Sequence, residues 1–234
     1  MTKKIAGAIK GRPRSFDREA ALDAALRLFW RHGFEGTAIS DLVRELGIAA
    51  PSIYAAFGSK EALFNEAIGL YGHKYGIAMK CLIEQEATAE ASVRAILFDA
   101  ASTFAMPGLP GGCFVASGML AWAPPQKELA RVFRSKRALM IGALRSRIDQ
   151  GVAAGELPEG TDSHDLGNYY GAVIEGMSVQ ARDGADAQAL RRVAEVAMKA
   201  WPNVEVRARR RSAAARPPTS CQPPQTPPGR RRRH

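Results

Sequence analysis

The chain has 234 residues, 46% of them hydrophobic and 24% charged, with a formal net charge of +10. It is long enough to bury a sizeable core in one or two domains. No apolar run approaches a membrane span, three widely spaced cysteines lack a Cys-x-x-Cys pair, and four histidines lack metal-ligand spacing, so no membrane anchor, disulfide framework, metal site or cofactor is expected. The charge is uneven: residues 1–58 carry +3, residues 59–202 carry −1 and residues 203–234 carry +8. Affinity for a polyanion is therefore expected from the two ends and not from the middle. The first dozen residues are basic without the apolar core of a signal peptide, which makes the cytoplasm the expected compartment.

Residues 1–14 lack apolar periodicity and are expected to form a flexible basic arm. Within them Lys10-Gly11-Arg12-Pro13-Arg14 resembles an AT-hook core, in which an extended backbone lies in a narrow minor groove and basic side chains reach its floor. Lys10, Arg12 and Arg14 are the candidate contacts, and a solvated charged leader is the alternative. Ser15 is the predicted N-cap of a helix over 15–32 whose stripe includes Phe16, Ala20, Ala24 and Leu28, with Gly33 as terminator. Then Ile39, Leu42, Val43 and Leu46 fall at i, i+3, i+4 and i+7, which predicts a helix over 38–46 capped by Thr37 and ended by Gly47 in a left-handed conformation. A second short helix over 50–57 accepts Pro51 in its first turn and turns Ile53 and Phe57 inward. Two short helices around a glycine turn make a helix-turn-helix or, equally, a helical hairpin inside an all-α core.

Gly58 ends the second helix and Ser59 caps a long third one. Lys60 stands at that helix's positive end, where the dipole opposes it and a phosphate would explain it. The run Ala24 to Phe64, with Phe34-Glu35-Gly36-Thr37, Ile48, Ser52-Ile53-Tyr54, Phe57 and Ser59-Lys60-Glu61-Ala62-Leu63, resembles the DNA-binding domain of the tetracycline-repressor (TetR) family. The resemblance implies a three-helix unit in which Thr37 and Ser40 seat the second helix. Ala50, Pro51, Ser52, Tyr54 and Ala55 would line a DNA groove, and Tyr54 and Lys60 would reach phosphates. Alanine at 38, 49 and 56 departs from the hydroxyl residues and histidine common there, which leaves base reading to methyl contacts, Ser52 and the arm.

Residues 60–202 read as helices over 60–84, 89–105, 112–122, 125–153, 163–182 and 186–201. The last two are apolar on more than one face, and Gly167, Gly171, Ala172, Gly176 and Ala181 allow close helix approach. A pair that meets its copy in a four-helix bundle fits this pattern, as does one thicker monomer core. The resemblance favours the homodimer. Beyond Pro202 an Arg/Pro-rich stretch ending in Arg230 to Arg233 is expected to be a disordered tail with non-specific affinity for DNA.

The resemblance also implies a small-molecule inducer held in the middle helices. Phe98, Phe104, Met119, Trp122, Tyr169, Tyr170, Glu175, Met177 and Gln180 are candidate liners, though each suits plain core equally well. Glu175 requires a partner if buried, for example a ligand amine, Arg182 or a histidine. Cys113 opens a helix, where amides and dipole lower a thiol pKa, so it is a candidate redox or electrophile sensor; a buried structural cysteine is the alternative. No catalytic set assembles: Ser117 lacks a nucleophile elbow, and His164 and Asp165, adjacent on a helix, are expected to point apart. The expected protein is all-α, with about nine helices. Its parts are an arm at 1–14, a helix-turn-helix domain at 15–58, a ligand-binding and dimerisation domain at 59–202 and a tail at 203–234. It is expected to be a non-enzymatic homodimeric repressor on a palindromic double-stranded DNA operator. A cysteine sensor and a non-specific architectural DNA-binder are the other readings.

Overall fold

The computed structural model describes residues 16–119 and 124–202. Every regular element among them is helical. The first helix, α1 (Arg18–His32), starts at Asp17, whose carboxylate accepts from the amides of Glu19 and Ala20 at 2.9 and 3.1 Å. One acid thus satisfies two amides that have no acceptor inside the helix. Ser15, the predicted cap, lies outside the described residues.

The next two, α2 (Ile39–Leu46) and α3 (Ala50–Phe57), follow as predicted, joined through Gly47 at φ 66°. Thr37 does not cap α2. The cap position is Ala38, whose amide donates to Asp41 Oδ2 at 2.9 Å, while Thr37 is fully buried and its hydroxyl donates to the Gly33 carbonyl at 2.7 Å. The threonine closes the α1–α2 turn instead.

Ser59 Oγ accepts from the Ala62 amide and starts α4 (Lys60–Tyr71), which runs through a π turn at Gly72–Gly76 into α5 (Ile77–Gln85). The predicted helix over 60–84 is one rod with a widened turn. It is followed by α6 (Ala89–Phe104), the short α7 (Phe114–Ser117), a 3-10 turn at Pro124–Gln126 that leads into α8 (Lys127–Ala153), then α9 (Ser163–Arg182) and α10 (Ala187–Met198). With α4 and α5 taken as one rod, nine helices stand among the described residues.

The helix expected over 112–122 is cut to four residues. Gly118 turns extended, pressed so closely on α8 that an added Cβ would fall 2.0 Å from a Phe133 ring carbon.

Two large buried clusters organise the described residues, beside a small third one of Ala89, Ile148 and Leu157. The first joins Leu26, Phe29, Trp30, Phe34, Leu42, Ile53 and Phe57 to Leu63, Phe64 and Tyr71 of α4, and is completed by Phe114, Leu129 and Phe133. It runs straight across residue 58, so α4 packs with α1 to α3. The second gathers Val93, Leu97, Ala101, Leu144, Tyr170, Met177, Leu190 and Ala194, all beyond α5. Cys113 packs against both clusters.

The small residues of α9 divide between two tasks. A Cβ at Gly167 would fall 2.5 Å from Arg145 Cγ and one at Gly171 2.8 Å from Ile141 Cγ1, so these two glycines admit α8 of the same chain. Gly176 has open space beside it, and Ala172 is exposed. These face outward with Tyr169 and Val179 at i, i+3, i+7 and i+10 along one side of α9, and Tyr169 lines one surface hollow with the exposed Val196 of α10.

Candidate nucleic-acid interface and internal cavity

Arg18 fixes the head, the unit that α1 to α4 form around the first cluster. Its guanidinium donates to both carboxylate oxygens of Glu66 at 2.8 Å and to the Ala56 carbonyl, and lies 4.5 Å from the centroid of the Phe57 ring. The start of α1 is thereby tied to the end of α3 and the middle of α4. A planar fork suits three such acceptors better than an ammonium would. Sequence reasoning missed this residue, because its partners lie 38 and 48 positions away.

With Ile53 and Phe57 buried, α3 turns Pro51, Ser52, Tyr54 and Ala55 to solvent and leaves Ala50 half-buried. Ser40 of α2 is exposed as well. Tyr54 is 46% exposed, so part of its ring is open to a partner at the surface of α3. Lys60, half-buried, holds its Nζ 4.2 Å from the centroid of the Phe34 ring, a cation–π contact that positions the ammonium at the start of α4. Thr37 turns inward, so its hydroxyl is not offered to a ligand. Lys10, Arg12 and Arg14 lie outside the described residues. The exposed edge of α3 can present one hydroxyl, one phenol and several methyls, which is enough for shape and methyl contacts in a groove but sparse for hydrogen bonds to bases.

A partly open cavity of about 120 Å³ lies where α5, α6, α7, α8 and α9 meet the end of α4, walled by Tyr71, Tyr75, Met79, Phe104, Met140 and Ile174, with Asp99, Thr103, Cys113 and Arg137 as its polar lining. Arg137 is committed: its Nη1 donates to the carbonyls of Val115 and Gly118 at 3.0 and 3.1 Å, and so holds both ends of α7. Asp99, partly desolvated, has its carboxyl raised above the usual range. Tyr71 donates to Cys113 Sγ at 3.2 Å. Burial pushes the Cys113 thiol up, outweighing the lowering by that hydroxyl and by the amides of Ala116 and Val115. The depressed pKa expected at a helix start is thus reversed, because α7 has only four residues and its cap is desolvated.

Of the predicted liners, Phe104 faces this cavity. Phe98 is half-buried against the second cluster. Tyr170 and Met177 are fully buried core, the Tyr170 hydroxyl donating to the Ala197 carbonyl at 3.4 Å. Tyr169 and Gln180 face solvent, and Trp122 lies outside the described residues. Glu175 is half-buried without Arg182, whose guanidinium is engaged with α1 instead. Met119, at φ 53°, borders a different hollow of about 250 Å³ where α1, α7 and Arg182 meet. Tyr71 and Tyr75, which sequence reasoning missed as liners, stand one turn apart at the end of α4 and in the π turn that follows it.

His164 and Asp165 do not point apart: Nδ1 and Oδ1 are 3.6 Å from each other. Both are exposed beside Asp162, which caps α9, and His164 Nδ1 pairs with the Asn168 amide at 3.1 Å.

Residues 21–67 match the family model described as "Bacterial regulatory proteins, tetR family", and residues 89–197 match that of "Tetracyclin repressor-like, C-terminal domain". The HTH-type transcriptional repressor ComR of Escherichia coli (strain K12) is 33% identical over 196 residues, which is 83% of this chain and 93% of ComR. The HTH-type transcriptional repressor BdcR of the same strain is 26% identical over 201 residues, 86% and 96% of the two chains. Among solved structures, a cysteine-substituted form of the TetR family transcriptional regulator CifR, complexed with 26 base pairs of double-strand operator DNA, superposes with a TM-score of 0.78 at 35% identity. That match covers 82% of this chain and 100% of CifR.

Proposed function

Because the chain belongs to the tetR family of bacterial regulatory proteins, we propose that it is a homodimeric transcriptional repressor that holds a palindromic operator and releases it when a small molecule enters the α5–α9 cavity. The observation that carries this reading is the double duty of α7. Cys113, Val115 and Ala116 wall the cavity, while Phe114 between them is buried in the aromatic cluster of the head, 5.7 Å from Phe64 and 5.6 Å from Tyr71 between ring centroids. A ligand that displaces α7 must disturb the packing under the DNA-facing helices. A cavity of about 120 Å³ is somewhat below the roughly 150 Å³ that takes up benzene, so the inducer is small and largely apolar, or the walls move to admit it.

The outward stripe of α9 and α10, with Tyr169, Ala172, Gly176, Val179 and Val196, forms the dimer contact. Two heads then address major-groove faces roughly 34–36 Å apart. An inducer with higher affinity for a different spacing shifts the population off the operator. Operator binding by CifR supports the DNA half of this account. The protein acts in the cytoplasm as a regulator and not as an enzyme; no helix among the described residues is long and apolar enough to cross a membrane.

Thr103→Phe fills the cavity without touching the exposed edge of α3. A compound from a panel of small apolar molecules is expected to release the wild-type protein from DNA upstream of its own gene and to leave Thr103→Phe bound. Equal release of both would place the inducer elsewhere.

A further inference from the structure

Arg182, the last residue of α9, reaches the last turn of α1, more than 150 residues earlier in the chain. Its Nη1 donates to the Trp30 carbonyl at 3.1 Å and to Ser117 Oγ at 3.2 Å, and its Nη2 donates to the Arg31 carbonyl at 3.2 Å. The final carbonyls of a helix have no amide ahead of them; Gly33 N–H serves Phe29, and the guanidinium serves the next two. A cation there also opposes the negative end of the helix dipole.

The same turn of α9 grips α7. Ser178 Oγ accepts from the Cys113 amide at 2.7 Å, and Ser117 Oγ donates to the Cys113 carbonyl at 2.7 Å. The preceding loop lies so close that a Cβ added at Gly111 would fall 2.6 Å from the Ala181 carbonyl oxygen, and one at Gly112 2.3 Å from that of Ser178. Head, α7 and the end of α9 meet at one guanidinium.

We propose that Arg182 is a positioning residue that fixes the angle of the head to the dimer axis and so sets the half-site spacing the protein accepts. The inference rests on the proposed reading of α9 as the two-fold interface. A rigid helix of 20 residues, about 30 Å long, carries the dimer contact on its outer side and the head on its final side chain. The other ties between head and body include two single hydrogen bonds, from Arg27 Nη1 to the Gly108 carbonyl and from the Tyr71 hydroxyl to Cys113 Sγ, both 3.2 Å, each fixing one point, and ring contacts such as Phe64 on Phe133, at 5.6 Å between centroids. Apolar packing of that kind resists separation but constrains rotation weakly, because it is non-directional. The planar fork of Arg182 is directional, and with three acceptors it defines an angle.

The test uses the full chain and synthetic duplexes carrying the half-site pair that the wild-type protein selects from a random pool, with the centre-to-centre distance changed one base pair at a time. The wild type is expected to lose about tenfold in affinity when the spacing moves by about two base pairs either way. Arg182→Ala is expected to bind the best duplex within about threefold of wild type and to vary by no more than about threefold across the series, with Arg182→Lys in between because it keeps the charge and loses the fork. A profile for Arg182→Ala that runs parallel to wild type overturns the inference. Should that variant fail to fold by circular dichroism, Ser117→Ala, which removes one acceptor, is read instead: a flatter profile supports the inference and an unchanged one overturns it. Sedimentation of the complexes separates the two claims. One chain per duplex, or a wild type without any selected pair, sinks the dimeric operator reading and this inference with it; a dimer with a spaced pair and an unchanged Arg182→Ala profile sinks the inference alone.

Discussion

The head and the body of this chain are not equally self-sufficient. The body's buried cluster, from Val93 to Met198, draws no buried side chain from α1 to α4, whereas the head's cluster is incomplete without Phe114, Leu129 and Phe133 supplied by α7 and α8. The lesson is one of direction. The body's cluster is closed without a head side chain, whereas the head's core is partly built from the wall of the cavity. A DNA-facing unit arranged this way is open to control from inside the body, and Cys113, packed on both clusters, marks the place where the two meet.

The largest expected effect comes from cutting that dependence. Phe114→Ala removes a ring that is 2% exposed and touches Trp30, Phe64, Tyr71 and Phe133, at a cost of about 3–5 kcal/mol. Hydrogen exchange is expected to rise first in α1 and α4 and least in α10; a uniform rise would erase the asymmetry. Met177→Ala, in the body, is expected to cost about 2–5 kcal/mol and to weaken protection in both regions. Protection lost from α9 and α10 alone would show that the head stands by itself.

Smaller changes sharpen the comparison. Tyr54→Ala is expected to leave stability within about 0.5 kcal/mol while weakening operator binding about tenfold, since the ring is half exposed and packs little. Asp17→Ala removes the α1 cap and is expected to cost about 1 kcal/mol by chemical denaturation, confined to the head. The smallest effect is pH-dependent. Because burial raises the Cys113 thiol in the folded state, the unfolded chain ionises first: the stability this thiol contributes is full below the ordinary thiol pKa and is lost as pH rises through the folded value. In a Cys81→Ser, Cys221→Ser background, alkylation at neutral pH is expected to be slower than in unfolded protein. Rapid alkylation near neutrality would support the sensor reading of Cys113.

The head was legible because its signals are local. The spacing of Ile39, Leu42, Val43 and Leu46, the glycines at 47 and 58, and Ser59 each act within a few residues, and α2, α3 and the start of α4 stand where they place them. Caps were harder where two residues compete. Asp17 serves α1, where Ser15 also suits the sequence, and the Thr37 hydroxyl found the Gly33 carbonyl in place of an α2 amide. The cavity was illegible for a different reason. Met177 and Met140 look alike on their helices, yet one fills the core and the other walls a hollow closed by Tyr75 and Ile174 from distant segments. Gly167 and Gly171 read as a surface for a second copy because nothing nearby reveals that α8 occupies it.

The central claim is that the head reads a specific DNA sequence, with residues 203–234 adding only charge. It is tested most directly by titrating salt against binding of the purified protein to its upstream DNA and to scrambled DNA, with and without residues 203–234. The account predicts a preference of about a thousandfold for one palindrome that survives removal of those residues, which would lower non-specific affinity and the salt slope alone. Equal affinity for both DNAs, or a preference that vanishes with residues 203–234, would contradict it.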